Sequence, residues 1–225
     1  MKLNPKTVEM FKNFSTINQS IYVKPGNIIR TIAANKALIA RAEVPDTFEK
    51  PFGIYNLSQF LSCLSVCDDP ELDFEDDLVH IKDNKNPVSF DYYYCDPNVI
   101  LTPPEKELTL PSVDLQFSLN GGELGRALKA MSILELNEIA IIGDGTELVL
   151  EVFNSKTTNQ STKTSVYRVE LGSTKKNFKA VFKGENLKMM NTDFDVILCS
   201  KGISKFTASD ITYYVTVEAN SSYWN

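Results

Sequence analysis

The sequence predicts an α+β fold built from repeated β-α-β-β-β units, with helices on one face of antiparallel sheets. Three observations carry this. An amphipathic helical pattern recurs four times, at residues 8–17, 57–66, 122–132 and 184–190. Short strand-like segments fill almost everything between those helices. The helices are also too few to cover both faces of so much sheet, so one face is left to water. Recurrence at a roughly constant spacing marks a repeat architecture.

Asn4 and Pro5 introduce the first helix, where proline's missing N–H costs nothing. Met10, Phe14 and Ile17 fall at i, i+4 and i+7, with Val8 and Phe11 beside them. Lys6, Glu9 and Asn13 occupy the other side, with Lys12 at its edge. The segments SIYVK, NIIRTIA and KALIARAEV follow as strands of a meander, broken by Pro25-Gly26 and by an Ala-Asn corner. FGIY precedes the second helix, for which Asn56 is the expected N-cap. Leu57, Phe60, Leu61 and Leu64 form its buried stripe, and Ser58, Gln59, Ser62 and Ser65 its uncharged outer face. ELDF, LVHIKD and PVSFDYYYC complete the second unit.

Residues 96–111, DPNVILTPPEKELTLP, break the pattern with four prolines and no helical period. Such a segment cannot pair as a central strand and reads as an extended connector. The expected organisation is therefore an N-terminal domain (1–96), a connector (97–111) and a C-terminal domain (112–225). The second half opens with Val113, Leu115, Phe117 and Leu119 alternating against polar residues. In the third helix Leu124, Ala127, Leu128 and Met131 face inward, while Arg126 and Lys129 neighbour each other outside. NEIAIIG, TELVLEVFN and TSVYRVELG follow, with residues 155–163 as a polar loop between the last two. NFKAVFK precedes the fourth helix, which carries Lys188. FDVILCS, ISKFTAS and ITYYVTVEA close the chain.

The formal charge of −6 taken in bulk argues against a nucleic-acid partner. Its distribution argues otherwise. Residues 1–19 sum to +2 and residues 120–134 to +1, which leaves −9 for the rest. Residues 68–77 alone hold seven acids and no base, a run that must lie on a solvated surface. Basic side chains thus concentrate on helices of an acidic protein. No segment is long and apolar enough to span a membrane, and the charged, proline-bearing start lacks the apolar run of a signal peptide. A cytoplasmic location is expected.

Catalytic patterns are absent: there is no nucleophile elbow, phosphate loop, zinc-protease helix or dinucleotide fingerprint. Gly143-Asp144-Gly145 reads as a hairpin turn. Asp73, Asp76 and Asp77 lack the glycine and terminal glutamate of a calcium loop. Cys63, Cys67, Cys95 and Cys199, with the single His80, do not form a zinc pattern and read as reduced thiols. No cofactor, no metal and no enzymatic activity are expected.

Four groups of residues carry a family resemblance. They are Lys12-Asn13-Phe14 with Thr16-Ile17-Asn18, Ile54-Tyr55 with Leu57, Phe60-Leu61 and Leu64-Ser65, Lys188-Met189, and the ending YYVTVEAN. In order and spacing they resemble the sliding clamps of T-even-type bacteriophages, the DNA polymerase processivity factors. The resemblance runs over nearly the whole chain and is thinnest at residues 68–94 and 154–163. It implies the DNA clamp fold, a homotrimeric ring with helices lining the hole, and duplex DNA passing through unread. It implies a replicative DNA polymerase and an ATP-driven clamp loader as partners, late transcription factors as further ones, and the cytoplasm of an infected bacterial host as the location.

On this reading Lys2, Lys6, Lys12, Arg126, Lys129 and Lys188 face DNA, on three helices per subunit. Partner tails dock near the connector, on Val99, Ile100, Leu101 and Leu110, with Tyr214 and the terminal Tyr223-Trp224. The alternative expectation is a non-catalytic structural β-rich phage protein without a DNA role.

Overall fold

The computed structural model describes residues 1–155, 166–219 and 222–224. The chain forms two compact units, Met1–Glu107 and Leu108–Asn225. The expected connector straddles that division. Most of the polar loop expected at residues 155–163 lies outside the described residues.

The first unit opens with helix α1 (Pro5–Ile17), whose Asn4 side chain accepts from the Lys6 N–H. Its stripe of Met10, Phe11, Phe14 and Ile17 is buried against β2 (Gly26–Ile32) and β3 (Leu38–Phe48). The short strand β1 (Ile21–Val23) pairs antiparallel with β4 (Phe52–Ile54). β2 and β3 form an antiparallel hairpin. β3 runs beyond the expected Val44 because its register shifts opposite Asn27, and the extra residues accommodate Pro45. Helix α2 (Leu57–Val66) is capped by Asn56, which accepts from the Gln59 N–H, and it packs beside α1. A three-stranded antiparallel sheet follows: β5 (Pro70–Phe74), β6 (Leu78–Asp83) and β7 (Ser89–Tyr93). Phe11, Phe48, Phe52, Phe74 and Tyr94 form a chain of ring contacts with centroids 4.9 to 6.2 Å apart. Residues 97–99 make one 3₁₀ turn at the start of the connector.

The second unit begins with β8 (Leu115–Leu119) and helix α3 (Gly121–Ile133). β9 (Glu138–Asp144), β10 (Glu147–Phe153), β11 (Tyr167–Ser173) and β12 (Asn177–Lys183) come next. They join the two-residue strand β16 (Tyr223–Trp224) in one sheet, in the order β11-β10-β9-β12-β16. α3 lies against β10 and β11, with Leu124 and Ala127 buried. β13 (Phe194–Cys199), β14 (Ile203–Thr207) and β15 (Ile211–Thr216) extend β8 in the order β8-β13-β14-β15. The β9–β10 hairpin turns at Gly145, whose φ of +90° suits glycine, while the Asp144 carboxylate accepts from the Thr146 and Glu147 N–H groups.

The fourth helix does not form. Only Gly184–Asn186 makes a 3₁₀ turn, and Lys188 follows it in irregular chain. Seven residues are too few to offset helix nucleation without a packed stripe. Gly184 and Asn186 are buried, and a β-carbon on Gly184 would stand 2.3 Å from the Met131 side chain. The segment is thus pressed onto α3 by its backbone. The strand β16 was also unforeseen, because two residues show no periodicity.

Candidate nucleic-acid interface and partner surface

The outward face of α1 follows from its buried one. With Thr7, Met10, Phe11, Phe14 and Ile17 turned inward, Lys6, Glu9, Lys12 and Thr16 are exposed. On α3 the same logic exposes Arg126 and Lys129, one turn apart. The Arg126 guanidinium folds back over the first turn, with one nitrogen 3.7 Å from the point a β-carbon on Gly122 would occupy. Among the described residues no ion pair engages Lys12, Arg126 or Lys129. Each unit by itself therefore presents a helix with undischarged positive charge.

α2 presents none. The Ser62 hydroxyl donates to the Ser58 carbonyl at 2.9 Å, and Ser65 to the Ser62 carbonyl at 2.8 Å. Both hydroxyl protons are spent on the helix itself. Lys188 is exposed, and its loop is tied down where the Met190 N–H donates to the Tyr213 hydroxyl at 3.1 Å. Burial pushes the Tyr213 phenol well above its ordinary value, so it remains neutral.

Lys2 is exposed and ion-paired. Its ammonium sits 2.7 and 2.8 Å from the two oxygens of Asp69, inside the acidic run. It precedes α1, and its charge is answered by a carboxylate. The run itself is solvated as expected: Asp68, Glu71, Asp73, Glu75, Asp76 and Asp77 are exposed. A buried carboxylate, Asp83, organises its start. It accepts from the Asp68, Asp69 and Lys85 N–H groups at 3.0 to 3.1 Å and from the Asn86 amide at 2.7 Å. The Asn86 bond, then these backbone donors, hold its carboxyl far below the usual carboxylate range.

The expected partner residues separate into accessible and buried ones. Val99 and Leu101 are 60% and 40% exposed. Ile100 between them is buried, and its Cδ1 lies 3.0 Å from the β-carbon position of Gly53, so it pins the connector. Leu110 is half-buried. Tyr214 is 3% exposed, with the Lys205 ammonium 5.7 Å from its ring centre, and offers no docking surface. Trp224 stacks on Phe178 with ring centres 5.0 Å apart and planes 9° from parallel. With Tyr223 it borders a surface cleft completed by Ser200, Gly202, Val217 and Ala219.

One cationic group escaped the sequence reading. Lys24, Arg30 and Arg41 lie on β1–β3 or next to them, and Arg30 stands opposite Arg41 across the hairpin. The signal was present in the Ala34-Asn35 corner, which fixes that register. No group of three His, Cys, Asp or Glu that could hold a metal exists among the described residues. All four cysteines are free thiols. No helix is long and apolar enough to cross a membrane.

These surfaces sit on a chain whose relatives are known. Residues 2–91 match the family described as DNA polymerase processivity factor, and residues 116–219 match the gp45 sliding clamp, C terminal. A "Sliding clamp" of Vibrio phage KVP40 is 30% identical over 97% of this chain and 100% of its own length. The chain belongs to the sliding-clamp family. A "Sliding clamp" of Enterobacteria phage T4 is 29% identical over 99% of both chains.

The clamp's fold also resembles solved structures at far lower identity. PCNA from Thermococcus kodakaraensis superposes with a TM-score of 0.67 at 13% identity, covering 95% of this clamp and 96% of that chain. A Helicobacter pylori beta clamp bound to a DNA ligase peptide gives 0.61 at 14% identity, covering 97% of this clamp and 67% of that chain. At such identities the likeness speaks for the fold, antiparallel sheets carrying few helices. The clamp is a DNA polymerase processivity factor by family.

Proposed function

We propose that three copies of this clamp close into a ring around duplex DNA and tether the replicative polymerase for processive synthesis. The observation that carries the reading is the pair of helices α1 and α3, whose exposed Lys12, Arg126 and Lys129 form no ion pair among the described residues of an otherwise acidic chain. Exposed cations on straight helices contact phosphates without reading bases. Few such contacts give weak, salt-sensitive attraction that permits sliding. Lys6 and Lys188 are further exposed cations of the DNA-facing group expected from the sequence. Association is supported by two open sheet edges. β7 and β11 each end their sheet among the described residues, and such edges invite pairing with another chain.

In this role the clamp contributes no covalent chemistry and no cofactor. Its own residues supply position: the helices keep the duplex centred, and the opposite faces hold partners. An ATP-driven loader opens and closes the ring, and the setting is the cytoplasm of an infected bacterial host. A mobile role in late transcription rests on the resemblance to T-even clamps; transcription from a nicked circular late template, with and without the clamp, checks it.

The test of the central reading is the variant Lys12→Gln/Arg126→Gln/Lys129→Gln. Native mass spectrometry should show the trimer retained, while clamp-dependent extension on a primed circle falls several-fold. Undiminished product length from an intact trimer would remove these helices from the DNA interface. A protein that never assembles beyond one chain and never stimulates its polymerase would favour the structural β-rich alternative.

A further inference from the structure

The link between β3 and β4 runs Phe48-Glu49-Lys50-Pro51-Phe52, and it brings both phenylalanine rings against Phe74 on β5. The three rings touch one another with centres 4.9 to 5.8 Å apart. Met1 is held beside β5, because its carbonyl accepts from the Leu72 N–H at 2.7 Å and its amino group donates to the Leu72 carbonyl. These residues line a cavity of about 300 Å³, joined on its polar side by Glu49, Lys50 and Asp73. Phe48 and Phe52 are buried, so the apolar surface still open belongs mostly to Phe74 and Met1. The surroundings are negative: Glu49, Glu71, Asp73, Glu75, Asp76 and Asp77 are all exposed. Lys50 is the basic side chain that lines the cavity, and its ammonium pairs with Asp76.

We propose that this cavity receives an arginine or lysine side chain from a basic segment of another protein, and that Lys50 holds the acidic mouth until it arrives. The Lys50 and Asp76 side chains remain 50% and 91% exposed, so their pair is screened and readily exchanged. An incoming cation gains twice, from the carboxylates at the mouth and from the face of an aromatic ring. Its apolar stem lies along Phe74 and the adaptable thioether of Met1. A metal ion is served less well, because no group of three His, Cys, Asp or Glu that could hold one exists among the described residues. A nucleic-acid backbone is repelled by the same carboxylates. The lining residues fall between Met1 and Phe74, all in the first unit and none in the connector. The site is therefore complete in a single chain and does not depend on ring closure.

Fluorescence anisotropy on the full-length clamp tests this without DNA or polymerase, so its failure leaves the encirclement reading standing. The probes are a labelled peptide in which two arginines flank a leucine, and its counterpart with glutamines. Wild type should prefer the arginine peptide. Lys50→Gln should tighten that peptide roughly two- to fivefold, the range an exposed ion pair supplies. Lys36→Gln removes the same charge at the far turn of the β2–β3 hairpin and should change nothing. Phe74→Leu keeps an apolar wall but removes the ring; with its fold checked by thermal melting, it should weaken the arginine peptide about twofold or more. No binding by either wild type or Lys50→Gln would overturn the proposal. So would equal tightening by Lys50→Gln and Lys36→Gln, which would reduce the effect to net charge, or undiminished binding by a folded Phe74→Leu.

Discussion

Asp83 shows how one side chain can hold a repulsive segment in place. Its carboxylate gathers three backbone N–H groups and the Asn86 amide where the acidic run leaves α2 for β5. Its folded pKa lies below the ordinary aspartate value of about 3.9, so the stabilisation is complete above that ordinary value and is lost progressively as pH falls from there toward the lower folded pKa. Asp83→Asn should melt lower than wild type at pH 7, and the difference should shrink below about pH 4. A constant difference across that range, measured by circular dichroism, would show that the carboxylate's charge is not what matters. A second residue works against its own backbone. Glu135 holds φ +53° just after α3, where the Leu136 N–H returns to the Met131 carbonyl at 2.9 Å. This is the left-handed helix stop that glycine serves best. Glu135→Gly should raise stability by about 1 kcal/mol, read from urea melts.

Elements built on strong periodicity were legible in the sequence, and those held by tertiary contact were not. α1, α2 and α3 each combine an Asn cap with an apolar stripe, and both signals are local. The pattern at residues 184–190 had the charge of a helix but neither the length nor a cap side chain, and its backbone packs on Met131 instead. The exposure of the cations on α1 and α3, proposed above to face DNA, could be read for the same reason, since burying one helix face exposes the other. The pairing of Lys2 could not, because its partner Asp69 lies 67 residues away. Nor could the burial of Ile100 and Tyr214, which neighbouring segments decide. Close packing also makes a sharp prediction at the start of α3. A β-carbon on Gly121 would stand 2.5 Å from the Thr192 backbone, whose neighbour Asp193 accepts the Gly121 N–H at 2.9 Å. Gly121→Ala must shift α3 or that loop. Hydrogen exchange should speed up in α3 of this variant and remain unchanged in α1.

At the scale of the whole molecule, charge is sorted by element. The acidic run and the strands around it carry the negative excess, while Lys12 on α1 and Arg126 and Lys129 on α3 enter no ion pair among the described residues. A bulk reading of −6 conceals that division. The sorting is what a protein needs if it is to surround a polyanion without gripping it, because affinity then comes from topology and not from contacts. The most direct test is retention on DNA of different topology. Clamp loaded on a nicked circle should stay bound through a wash at about 0.5 M salt, where the Debye length falls well below that at 0.1 M. It should be released when the circle is cut by a restriction enzyme. Loss of the clamp from uncut circles in the same wash, or retention after cutting, would contradict encirclement.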